Sequence, residues 1–325
     1  MAYTTVDNPE LYFQTKLYTG TGSSLAITLD GSENMQPDWV WIKERNGATN
    51  QMLTDSVRGA TKTLHSQNTD TESTDAQALK SFDSDGFTVG TDGDVNTSSD
   101  TYVAWNWKKT ATAGFDIVSY TGNGSSRTIS HSLSAVPKLI ILKNRSETFD
   151  WRTYTTVIDG SMDYVFLNKT DAKSDDTVSV PTSSVFSLDN SNQTNKNGNS
   201  FIAYLFADVK GYSKFGSYTG NGNADGTFIY TGFKPAFVIT KKTSGTSPWG
   251  IHDNKRDPFN EVDELLEADS GAALSDSTYG RDYLSNGFKI KTSSSGVNGS
   301  GNTFIYMAFA ESPLVNSNGV PTNAR

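Results

Sequence analysis

The sequence predicts an all-β protein built as three tandem, homologous β-sandwich units, and two observations carry that prediction. The first is a repeated turn. Tyr18-Thr19-Gly20-Thr21-Gly22 returns as Tyr120-Thr121-Gly122-Asn123-Gly124 and again as Tyr218-Thr219-Gly220-Asn221-Gly222, 102 and then 98 residues further on. A near-constant period of that size marks three copies of one domain-sized unit. The second is composition: Ser, Thr, Asn, Gly and Asp abound while Leu is sparse, which favours strands and turns over packed helices. At 325 residues the chain has room for three units, each with a modest core of its own.

The elements recur in order within each copy. A strand enters the glycine turn at Leu17-Tyr18, Val118-Ser119-Tyr120 and Gly216-Ser217-Tyr218, and apolar alternation follows it: Leu25, Ile27 and Leu29, then Ile129 and Leu133, then Phe228 and Tyr230. Strand, glycine turn and strand together predict a hairpin. Next comes a proline followed by an apolar run closed by lysine: Pro37 to Lys43, Pro137 to Lys143 and Pro235 to Lys241. Proline opens a strand without donating inside it. Runs apolar on both faces predict central strands, with the lysine marking the return to water. The third landmark is Thr101 to Trp107, matched by Ser200 to Phe206 and Thr303 to Phe309, and it begins 64, 63 and 68 residues after the respective prolines. These strands too are apolar on both faces, so one face fills the unit's own core and the other must be covered by something else.

The copies diverge between the second and third landmarks. Trp151 and Trp249 each lie fourteen residues after their proline, where the first copy has Gln51. Asp85-Gly86 and Asn286-Gly287 between apolar residues predict tight hairpin turns. In the third copy Phe259, Val262, Leu265 and Leu266 have helical spacing, which predicts a short helix over 259–267. The units are placed at 15–110, 113–210 and 213–312, as sandwiches of the jelly-roll or lectin-like kind. The links between them are short enough that the units should pack on one another. Residues 1–14 and 313–325 read as extended arms that order on contact.

Composition also excludes. There is no cysteine, so disulfides and thiolate metal sites are absent, which points to a prokaryotic or viral source. A net charge of −9 argues against nucleic-acid binding, which needs clustered Lys and Arg. Residues 1–14 lack the pattern of a signal peptide, and no apolar run reaches the length of a membrane span.

Each candidate for chemistry has a plainer reading beside it. The Gly-x-Gly turns lack the lysine and helix of a phosphate loop and are read as structural turns. Asp83, Asp85, Asp92 and Asp94 form a candidate calcium set in the first copy, with turn formation as the alternative. His65, His131 and His252 fall at unrelated positions without metal-pair or nucleophile-elbow spacing, so no catalytic residue is assigned. Trp39, Trp41, Trp105 and Trp107 are assigned to the core, because the other copies carry Leu, Ile, Tyr, Phe or Met there. Trp151, Tyr154, Trp249 and His252 are the candidate glycan-binding residues. Six Asn-x-Ser/Thr sequons, at Asn96, Asn123, Asn144, Asn168, Asn192 and Asn298, are at the level that such a composition produces by chance.

Several segments carry a resemblance. Asn8 to Gly22, Gln36 to Lys43, Asp55 to Ala60, Ser81 to Gly90, Thr101 to Lys108 and Ser312 to Gly319 resemble segments of virion proteins of marine tailed phages, cyanophages above all. That family is a β-rich repeat of phage head-surface, fibre and tail proteins. The likeness covers nearly the whole chain, most closely in the first copy, and brings no catalytic residues. It implies a non-enzymatic protein of the virion surface, a head decoration protein or fibre subunit. Other virion proteins and further copies of the chain would be its partners, and it would need no cofactor other than the candidate calcium. The alternative is a receptor-binding adhesin for host cell-surface glycan. A glycan-degrading enzyme would need paired carboxylates in a cleft, and the sequence singles out no pair.

Overall fold

The computed structural model describes residues 2–322. The first unit contains β1 (Phe13–Thr19), β2 (Leu25–Thr28), β3 (Trp39–Glu44), β4 (Met52–Asp55), β5 (Lys62–Thr63), β6 (Ser73–Thr74), β7 (Leu79–Asp83), β8 (Gly86–Val89), the one-turn helix α1 (Gly93–Asn96) and β9 (Thr101–Trp107). The second contains β10 (Phe115–Thr121), β11 (Arg127–Ser130), β12 (Leu139–Asn144), β13 (Arg152–Thr155), β14 (Asp163–Phe166), β15 (Ser174–Asp175), β16 (Val185–Leu188), α2 (Asn192–Asn195) and β17 (Ser200–Phe206). The third contains β18 (Ser213–Thr219), β19 (Phe228–Tyr230), β20 (Phe233–Lys242), β21 (Gly250–Asp253), β22 (Val262–Glu267), β23 (Ser275–Leu284), β24 (Gly287–Ile290) and β25 (Thr303–Pro313). The protein is all-β, with antiparallel sheets.

One strand order recurs three times: β1-β9-β3-β4, β10-β17-β12-β13 and β18-β25-β20-β21. The proline strands β3, β12 and β20 are central, as their two-sided apolarity requires. Pro37 and Pro137 precede their strands. Pro235 instead sits inside β20 at a register shift, the place in a ladder that tolerates a missing N–H.

The glycine turns do not make hairpins. β1 pairs with β9 whereas β2 pairs with β8, and the same holds for β10 with β17 against β11 with β16, and for β18 with β25 against β19 with β24. The turn carries the chain from one sheet to another. A Gly-rich turn between two strands fixes only that the chain changes direction, and distant strands decide the pairing. The hairpins at Asp85-Gly86 and Asn286-Gly287 do form.

The two faces of the central strands have different destinations. Val40, Ile42, Tyr102 and Ala104 join Ile27, Phe87 and Val89 in the first unit's own core. The second and third units have equivalent clusters around Ile140, Leu142, Leu205 and Phe186, and around Val238, Phe304, Ala308 and Phe288. The alternate residues converge on a single cluster shared by all three units. It contains Trp39, Trp41, Trp105 and Trp107, then Leu139, Ile141, Tyr204 and Phe206, then Phe237, Ile239, Met307 and Phe309. The second apolar face is therefore covered by the neighbouring units. Trp39 stacks on Tyr204 at a centroid distance of 4.5 Å, and Phe13 stacks on Phe309 at 5.1 Å.

Three further expectations are corrected. Residues 259–267 are not helical: β22 occupies Val262–Glu267, between β21 and β23. A register shift between Val262 and Glu264 separates the buried positions by three residues instead of two, so a strand acquired helical spacing. The lysines closing the proline strands do not return to water, since Lys43, Lys143 and Lys241 are buried. The arms also pack on the body. Thr4, Val6 and Pro9 are buried, Tyr3 donates to the Gly232 carbonyl, and the Ser317 N–H donates to Asp7. Among the described residues no helix is long and apolar enough to cross a membrane.

Candidate functional site

The recurrent turn is a structural clasp. Asn96 Oδ1 accepts from the Thr21 N–H while its Nδ2 donates to the Ser23 and Gly90 carbonyls. Asn195 and Asn298 make the same set with Asn123, Ser125 and Asp189, and with Asn221, Asn223 and Thr292. The turn tyrosine anchors alongside: Tyr18, Tyr120 and Tyr218 donate to the carbonyls of Val95, Thr194 and Val297. A Cβ at Gly20 would lie 2.1 Å from the Thr97 carbonyl oxygen, and Gly22 has φ +69°, so both glycines are backbone requirements. No room for a phosphate remains against these N–H groups. Asn96, Asn144 and Asn298, three of the six sequon asparagines, are buried.

The predicted glycan residues lie inside the protein. Trp151 and His252 are fully buried, and Tyr154 and Trp249 nearly so. Trp151 Nε1 donates to the His65 carbonyl at 2.8 Å and Trp249 Nε1 to the Phe166 carbonyl at 2.8 Å. Gln51, at the same position of the first unit, donates to the Glu267 carbonyl at 2.8 Å. By register His65, Phe166 and Glu267 are equivalent, each following the partner of Leu53, Thr153 or Ile251. The second unit thus reaches the first, the third reaches the second, and the first reaches the third, which closes a ring. Tyr154 belongs to the second unit's own core, with the Arg152 guanidinium over its ring. Burial, then the nearby charges of Arg281 and Arg256, hold the His252 imidazole well below its usual range. Loops following the proline strands suggested exposure, but these loops fold into the junctions.

A second ring of contacts involves buried ions. Asp55 pairs with Arg58 and accepts from the Tyr204 hydroxyl at 2.7 Å. Asp253 pairs with Arg256 at 2.6 Å and accepts from Trp105 Nε1 at 3.0 Å. The matching positions of the remaining junction are Thr155, Ile158 and Met307. The unit that lacks the aspartate and arginine is opposed by the unit that lacks the donor.

The buried lysines complete the interior. Lys143 Nζ donates to the carbonyls of Phe149 at 2.5 Å and Thr69 at 2.8 Å, Lys43 to Gly47 and Lys241 to Ser247. Loops wrapped back over the strand ends supply these acceptors. Burial pulls all three ammonium groups down to about 8.

The four aspartates do not converge. Asp83 accepts from Ser81 and Thr88, and Asp85 from the Met35 N–H. Asp92 caps α1, and burial beside Asp75 pushes it up to about 6. Asp94 accepts from Asn50. Among the described residues no group of three or more His, Asp or Glu is placed to hold a metal.

An open site exists elsewhere, in the third unit, as a cleft of about 790 Å³. Its walls are the loop 254–261 between β21 and β22, the β23–β24 hairpin, and residues of β20 and β25. Phe259 stands at its edge, 80% exposed. Lys234 Nζ pairs with Glu311 at 2.8 Å, and Asn254 Nδ2 donates to the same carboxylate at 2.8 Å. Asn260 is tied to Tyr283 by two hydrogen bonds, which hold the loop against β23. Sequence reasoning missed this cleft, because its walls come from segments up to 88 residues apart, from Lys234 to Thr322. The one available signal was Phe259, an aromatic beside Pro258 that belongs to no strand.

No curated protein matches the chain. One family model does, over residues 8–313, a span that takes in all three units. The chain therefore belongs to the family described as a domain of unknown function, DUF7483.

Proposed function

We propose that the chain is a non-enzymatic surface protein of a phage virion, a head decoration protein or fibre subunit, built from three β-sandwich units of the jelly-roll or lectin-like kind. The observation that carries this reading is the shared aromatic core. The tryptophans, the side chains best suited to ligand stacking, are consumed in holding three units as one body, and His252 is buried within the third unit. Such a body is rigid and acidic, which suits a part attached to a particle. The segments that resemble virion proteins of marine tailed phages support the same assignment. Partners are other virion proteins and copies of this chain, with no nucleic acid, and the body needs no cofactor. Immunogold labelling of intact particles tests the reading: label over the head means decoration, label on the tail means a fibre role, and no label on particles that display their other surface proteins overturns it. An unchanged melting temperature after chelation is the expected result for the cofactor.

A second reading, a receptor-binding adhesin for host cell-surface glycan, is favoured by one observation, the open third-unit cleft with its exposed Phe259.

A further inference from the structure

The three units share one scaffold, so a departure in one of them is informative. Ile27, Ile129 and Ile229 are equivalent, each paired with the phenylalanine of the neighbouring strand. Flanking them on the outward face are Ala26 and Thr28 in the first unit, and Thr128 and Ser130 in the second. In the third they are Phe228, 43% exposed, and Tyr230, 55% exposed. Small residues suffice for the sheet at these positions; Tyr230 also meets the N-terminal arm, its hydroxyl 3.4 Å from that of Tyr3, which leaves Phe228 as the aromatic that the repeated scaffold does not call for. Phe228, Tyr230 and Phe259 are the three exposed aromatic side chains among the described residues, and all lie in the third unit. Tyr230 is paired with Gly287, next to Asn286 of the cleft wall, and the Thr231 and Gly232 N–H groups donate to the Asn286 carbonyl. The aromatic strand therefore borders the cleft.

The chemistry of the cleft selects a ligand class. Its one lysine is neutralised by Glu311, and its other acid, Asp257, accepts from the Asp263 N–H. Among the described residues no unpaired cation lines the cleft for a phosphate or carboxylate, in a chain of net charge −9. The walls are too polar for a hydrocarbon ligand. Asn254 Oδ1 is buried in the wall with no hydrogen-bond partner, and Asn286 adds a second amide to the lining. A buried acceptor without a partner calls for a donor. The volume lies within the usual range for ligand sites. An uncharged ligand with hydroxyls at its rim and C–H groups on its faces fits amides, a carboxylate and an exposed ring together. We propose that the cleft lined by Asn254, Asp257, Phe259 and Asn286 is a binding site for a neutral saccharide. The inference rests on the adhesin reading and assigns it a site.

The test is saturation-transfer NMR on the full chain. The probes are neutral hexoses, N-acetylhexosamines and their di- and trisaccharides, with inorganic phosphate and a nucleoside monophosphate as charged controls. Saturable transfer to at least one neutral saccharide is expected, with little to the charged probes. Phe259→Ala should weaken binding by at least about fivefold through loss of the ring face. Phe259→Ala with Asn286→Ala should weaken it further, and the melting temperature should stay nearly unchanged because Phe259 is exposed and Asn286 is only half-buried. Neutral-saccharide binding that is equally strong in both variants would remove this site while leaving the adhesin reading standing. Silence across the neutral panel would remove both, and stronger binding of phosphate or nucleotide would overturn the ligand class. Particle labelling reports location whatever the sugar result.

Discussion

The Tyr204 hydroxyl donates to Asp55 Oδ2 at 2.7 Å, across the boundary between the second and first units. That carboxylate also holds Arg58, and all three side chains are removed from water. Tyr204→Phe should therefore destabilise the whole chain by about 1.5–3 kcal/mol, the range for a hydrogen bond to a charged group. Asp55→Ala should lower stability more, by about 3–5 kcal/mol, because it leaves the Arg58 guanidinium buried with only its longer 3.4 Å contact to Glu72. Urea denaturation measures both, and equal effects from the two variants would contradict this account.

The remaining junction supplies the converse experiment. Thr155→Asp alone should destabilise, because Ile158 and Met307 offer the new carboxylate neither a cation nor a donor. Adding Ile158→Arg and Met307→Tyr should recover part of the loss. Failure of the triple variant to exceed the single one in denaturation midpoint would mean that the junctions are not equivalent.

The clasp asparagines make a local prediction. Asn195→Ala removes one acceptor and the donors to the Ser125 and Asp189 carbonyls. A loss of about 2–4 kcal/mol is expected from leaving these buried groups unmatched. Limited proteolysis should show new cleavage near 121–125.

Trp151 separates packing from recognition. Trp151→Ala opens a cavity at a junction and should lower stability by about 3–5 kcal/mol. Any loss of ligand binding should then track the unfolded fraction, in contrast to Phe259→Ala. A stable Trp151→Ala protein would show that this junction does not hold the ring together.

The buried lysines set a pH dependence. Below pH 8 each is protonated in both folded and unfolded chains, and burying the charge lowers stability by a constant amount. Between about 8 and the ordinary value of 10.5 the unfolded chain holds protons that the folded chain lacks, so stability rises with pH across that window. Burial keeps Tyr18, Tyr120, Tyr204 and Tyr212 neutral there, well above their usual value. The gain per lysine is on the order of 1–3 kcal/mol. Lys143→Met should flatten the slope of melting temperature against pH between 8 and 10, and an unchanged slope would contradict the assignment.

The sequence by itself determined the β class, the thrice-repeated glycine turn, the central strands and the two tight hairpins. Each of these follows from local constraints. A turn such as Asp85-Gly86 needs φ +114° at its glycine, and a strand such as Trp39–Glu44 needs apolar residues on both faces because both will be covered. The tertiary structure alone decided what covers them. Trp39 and Tyr204 meet across 165 residues of chain, and no local pattern announces that contact. The same limit placed Trp151 and Trp249 in the interior, turned the glycine turn from a hairpin into a crossing between sheets, and put Lys43 under a loop. It also hid the cleft, since its walls become neighbours only once β20, the β21–β22 loop and the β23–β24 hairpin have packed. Periodicity reports how much of a residue will be buried. The identity of the burying partner depends on chain closure over long distances, which leaves no periodic trace.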